Sequence, residues 1–62
     1  MMELTVINER EQTYHTYAGV SEVYISDYNL DVSFTAKDVI TGEQFDITIP
    51  AIKYTSLRFV KG

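Results

Sequence analysis

The chain has 62 residues, with nine acidic against five basic side chains, a net charge of -4 and no cysteine. One domain of this size buries only about 60% of its extended-chain surface, so the core is thin, and without cysteine neither disulfides nor thiolate metal sites can staple it. The acidic balance argues against a phosphate backbone as the main partner, the single histidine leaves no Cys/His zinc cluster, and no apolar run approaches the ~18 residues of a membrane span.

Glu3 stands where a secretory leader would carry basic charge, and the apolar residues around it are soon interrupted, so the expectation is a soluble, cytoplasmic protein. Leu4 and Val6 alternate with Thr5 and predict a first strand over 3–7, followed by a polar surface turn over 8–11. Thr13 to Asp27 is rich in tyrosine, valine, isoleucine and threonine, which suit a half-buried pleated surface, but it is too long for one flat strand. Gly19 near its middle allows two readings: a tight turn that makes two short strands, or a bulge in one bent strand. The bent strand is preferred, because no second turn residue accompanies the glycine. Beyond it Val23 and Ile25 take the core face, and Glu22, Tyr24, Ser26 and Tyr28 the other. Asp27, Tyr28 and Asn29 then supply turn formers.

Residues 30–49 carry the clearest pattern, two alternating arms around a turn at Thr41 and Gly42. Leu30, Val32, Phe34 and Ala36 share one face with Phe45, Ile47 and Ile49; Asp31, Ser33, Thr35 and Lys37 take the wet face with Asp46 and Thr48. A two-residue loop sets Ala36 opposite Ile47, Phe34 opposite Ile49, Lys37 opposite Asp46 and Thr35 opposite Thr48. Asp38 breaks this parity and predicts a bend or bulge before the turn. Pro50 ends the fourth strand, Ala51 to Thr55 suit a 3₁₀ turn, and the last strand is 56–61 with Leu57 and Phe59 inward.

The fold class is therefore all-β: a five-stranded antiparallel meander, six-stranded on the tight-turn reading, within a single domain over 1–62. A flat sheet would leave one face in water, whereas a bent second strand lets the sheet curl into a small barrel. This order resembles that of SH3-like barrels, which also place a 3₁₀ turn before their final strand. The acidic-aromatic motif and the tryptophan with which SH3 domains bind proline-rich ligands are missing, so the resemblance implies architecture and no ligand.

Asp27, Asn29 and Asp31 fit the opening of a calcium loop, but Val32 stands where glycine is needed and Asp38 where a bidentate glutamate is needed, so the segment reads as a turn and no metal is expected. His15, between Tyr14 and Tyr17, has no nucleophile at a recognisable spacing. A core this small leaves little room for a catalytic cleft, so neither an enzyme nor a cofactor is expected. Tyr14, Tyr17, Tyr24, Tyr28 and Tyr54 are the interface candidates, since they cannot all enter one small core and exposed aromatics suit protein contacts; the competing reading has them cover barrel ends. The leading expectation is a small acidic, non-catalytic interaction module, by analogy an accessory regulator or inhibitor of phage or mobile-element type, that binds a protein partner through its tyrosines. A homo-oligomer is expected too, because it would support the thin core. The alternatives are a small molecule or nucleotide held between subunits, where tyrosine and Arg58 could stack and pair with it, and a nucleic-acid-binding barrel, which lacks the basic groove.

Overall fold

The computed structural model describes residues 2–61. Five strands, β1 (Met2–Asn8), β2 (Thr13–Ile25), β3 (Val32–Lys37), β4 (Gln44–Ile49) and β5 (Ser56–Lys61), form one sheet in the order β4-β3-β2-β1-β5, with every neighbouring pair antiparallel. A 3₁₀ turn at Ala51–Lys53 precedes β5, as expected, though it is shorter than the sequence suggested. The first strand is longer than expected at both ends and brings Asn8 into the interior, only 4% exposed.

β2 is the bent strand, and Gly19 is a bulge within it. Between Leu4, which faces Tyr17, and Met2, which faces Val20, β2 advances three residues while β1 advances two. Gly19 has φ +60, and a Cβ placed on it would stand 2.7 Å from Lys37 Cβ, so no other residue fits there without displacing the end of β3. A second bulge, unforeseen, follows at once: Ser21 faces Thr35 and Tyr24 faces Ser33, with Glu22 at φ +55. The first part of β2 pairs with β1 and the last with β3, and the two bulges turn the sheet where the pairing changes.

The turn of the sheet creates the core. Leu4 and Val6 of β1, Val20 of β2, and Val32, Phe34 and Ala36 of β3 are buried together, with Tyr17, Val23, Ile47, Ile49, Tyr54 and Leu57 packed at their margins. Leu4 and Val32 are fully buried although the described strands form a single sheet, so the sheet covers its own face. Tyr17 and Phe34 meet edge to face across this core, their ring centres 5.1 Å apart. β4 and β5 remain unpaired edges, so the curl is open and the expected barrel does not close.

The central hairpin differs from expectation by two residues. Phe34 faces Ile47, Ala36 faces Phe45, Thr35 faces Asp46 and Lys37 faces Gln44. The loop holds four residues instead of two, because Asp38 opens it: its Oδ1 accepts from the N–H groups of Ile40 and Thr41, and its backbone N–H bonds to the Glu43 carbonyl. Asp38 thus closes the turn and is not a bulge. A two-residue slip preserves the faces, so the buried set on β3 is as expected.

Four apolar residues assigned to the core face are exposed to different degrees. Leu30 belongs to a turn, with φ +62, and precedes the strand. Ile25 ends β2, and Phe45 and Phe59 lie on the two edge strands, where no neighbouring strand shields them; Phe45 is 43% and Phe59 45% exposed. Thr35 departs the other way. It is buried on the outer face because Glu22 and Asp46 flank it, each with a carboxylate oxygen 3.2 Å from its hydroxyl.

Candidate functional site

Three turns connect the first four strands, and all three follow one plan. Each holds four residues between a closing pair: Asn8 and Thr13, Ser26 and Asp31, Asp38 and Glu43. In each the first residue of the pair accepts hydrogen bonds on its side-chain oxygen from N–H groups inside the turn. Asn8 Oδ1 accepts from Arg10 and Glu11, Ser26 Oγ from Tyr28, and Asp38 Oδ1 from Ile40 and Thr41. In each the fourth turn residue is left-handed: Gln12 at φ +57, Leu30 at +62 and Gly42 at +78. Short polar side chains at the entrance replace the backbone partners that a tighter turn would supply.

The segment from Pro50 to Thr55 ties two of these turns together. On one side the Asn8 amide donates to the Lys53 carbonyl, Arg10 donates to the Ile52 carbonyl, and Thr55 bonds through N–H and hydroxyl to the Ile7 carbonyl. On the other the Ala51 N–H donates to Asp31 Oδ1, and the Tyr54 hydroxyl donates to the Leu30 carbonyl. The two ends of bent β2 are therefore held by one short connection. It bridges the opening that the edge strands leave.

The five tyrosines divide accordingly. Tyr17 is committed to the core against Phe34, and Tyr54 spends its hydroxyl on Leu30 while its ring packs at the core margin. Tyr14, opposite Ile7, and Tyr24, opposite Ser33, are mostly exposed, and Tyr28 in the second turn is 97% exposed. The turn under Tyr28 is fixed: Ser26 and Asp31 close it, Asn29 Oδ1 accepts from the Asp31 N–H, and the Pro50–Thr55 connection grips Leu30 and Asp31. Of the calcium-like residues, Asn29 Oδ1 accepts from the Asp31 N–H and Asp31 Oδ1 accepts from the Ala51 N–H. Among the described residues no group of three or more His, Cys, Asp or Glu side chains is placed to hold a metal ion.

His15 is exposed opposite Val6, and Arg58 is exposed opposite Thr5 on β5. Sequence reasoning passed over Val39 and Ile40, which project from the third turn at 79% and 91% exposure beside an open groove of about 420 Å³ lined by Gly19 and residues 37–42. The available signal was a pair of β-branched apolar residues between Asp38 and Gly42, in a turn where polar residues are usual. Compared with known proteins, the chain matches no family model, no curated protein and no solved structure at a significant level. Among the described residues no helix is long and apolar enough to cross a membrane.

Proposed function

We propose that this chain is a small non-catalytic interaction module that binds a protein partner through exposed aromatic and aliphatic side chains held on rigid turns. One observation carries the reading: Tyr28 is 97% exposed on a turn whose backbone is tied at both ends and to the Pro50–Thr55 connection. An aromatic ring left in water by a mobile loop would lose entropy on binding, whereas a ring on a fixed turn is already positioned and offers large contact area with few torsions to freeze. Tyr24, just before this turn on the outer face of β2, extends the same surface type, and a net charge of -4 favours a basic partner by electrostatic steering.

A native mass spectrum of the protein purified from its own cells tests this reading. A discrete added mass of protein size is expected. A retained small molecule on an otherwise bare chain would instead favour the ligand-binding alternative, and retained oligonucleotide the nucleic-acid one.

A further inference from the structure

The two edges of the sheet differ in charge sign. β4 carries Asp46 and is preceded by Glu43, with no basic residue along it; β5 carries Arg58 and Lys61, with no acidic one. Like charges on both edges would discourage all edge pairing, the usual protection of an unpaired strand. Opposite charges discourage only β4 against β4 and β5 against β5. They leave β4 against β5 electrostatically favourable.

The geometry of such a contact follows from the strand directions. Every neighbouring pair in the order β4-β3-β2-β1-β5 is antiparallel, so β4 and β5 run the same way. A second copy that keeps its core face on the same side of a continued sheet must therefore lay its β5 parallel to β4 of the first. Aligning Asp46 with Arg58 sets Phe45 beside Leu57 and Ile47 beside Phe59. Those side chains share the core face, and Phe45 and Phe59 are the edge aromatics left nearly half exposed. The same alignment pairs the charges and covers the apolar rim. Parallel ladders are slightly weaker per residue than antiparallel ones, so the contact needs these side chains as well as its backbone bonds.

We propose that copies of this chain assemble head to tail, β4 of one copy adding beside β5 of the next with Asp46 facing Arg58. Each copy uses both edges once, so the contact propagates and closes into a ring where its rotation permits. The contact uses β4 and β5, whereas Tyr24 and Tyr28 belong to β2 and the turn that follows it, so different variants test the two proposals.

Sedimentation velocity of the full chain, with circular dichroism on each variant, tests the proposal. The wild type is expected to sediment as multiples of 7.1 kDa that dissociate on dilution and in high salt. Arg58→Glu and Asp46→Lys, each alone, are expected to weaken assembly by at least about tenfold, and the two reversals combined in one chain to restore it. Arg58 is exposed on an edge strand, so its variant keeps the fold even where Asp46→Lys, which also loses the Thr35 contact, does not. A wild type that stays at 7.1 kDa over a hundredfold range of concentration overturns the proposal. An assembly indifferent to Arg58→Glu, or a folded double reversal that does not reassemble, overturns it too.

Discussion

Asn8 donates its side-chain amide to the carbonyl of Lys53, 3.2 Å away and 45 positions later in the chain, while its Oδ1 caps the first turn. One buried side chain thus sets the turn between β1 and β2 and anchors the connection that bridges the open curl. Asn8→Ala should cost about 2 to 3 kcal/mol, because it empties a buried site and leaves the Lys53 carbonyl and two turn N–H groups without their partner. Asn8→Asp keeps the acceptor but loses both donors and places a carboxylate beside Glu11, so it should recover only part of the loss. Asp38→Asn at the equivalent position of the third turn keeps the acceptor at an open site and should be nearly neutral. Urea titration of the three variants measures the contrast.

Gly19 and Gly42 both have positive φ, yet they should respond differently to alanine. At Gly42 the added methyl would meet nothing nearer than 4.0 Å, so Gly42→Ala should cost only the left-handed backbone penalty of ~1 to 2 kcal/mol. At Gly19 the same penalty is joined by the 2.7 Å approach to Lys37 Cβ, which must push β2 and β3 apart. Gly19→Ala should melt well below Gly42→Ala. Equal melting temperatures would mean that the bulge yields freely.

Phe34→Ala should cost about 3 to 5 kcal/mol and leave so small a domain largely unfolded, since it opens a cavity at the centre of the core and removes the partner of Tyr17. Thr35, one residue along, lies on the face that alternation sends to water, where truncation to alanine is ordinarily nearly silent. Its burial between Glu22 and Asp46 raises the expected loss to about 1 kcal/mol. Thermal melts of both variants check the order.

These positions mark what alternation can and cannot report. Leu4, Val6, Val32, Phe34 and Ala36 were legible because a period of two directly states which face a strand residue takes. Phe45 and Phe59 obey the same parity and are still half exposed, because exposure at an edge depends on sheet order, to which local pattern is blind. The hairpin register was missed because it turned on the side chain of Asp38, which closes a four-residue loop where Thr41 and Gly42 suggested a two-residue one. The bulge at Glu22 had no sequence sign, since a glutamate at positive φ looks like any other. Of the candidate tyrosines, the exposure of Tyr28 follows from its place in a turn, whereas the positions of Tyr17 and Tyr54 depend on residues far away in the chain.

Tyr54→Phe isolates the grip of the connection on the second turn. It keeps the ring at the core margin and removes only the hydroxyl that bonds the Leu30 carbonyl. The global loss should be about 1 kcal/mol. Hydrogen exchange should quicken most over residues 26–31, the turn that presents Tyr28. Uniformly faster exchange along the whole chain would mean that the contact stabilises the fold without fixing that turn.

If the sheet is stable by itself and the proposed partner docks on Tyr24 and Tyr28, stability and partner binding are separable. The double variant Tyr24→Ser with Tyr28→Ser, measured for its melting temperature and for its affinity toward any protein that copurifies with the wild type, separates the two. A β-type circular dichroism spectrum and a melt close to wild type are expected, with binding weakened by ~2 kcal/mol or more, the scale of hot-spot truncations. A variant that unfolds would place these tyrosines in the core, and one that binds as tightly as wild type would place the interface elsewhere.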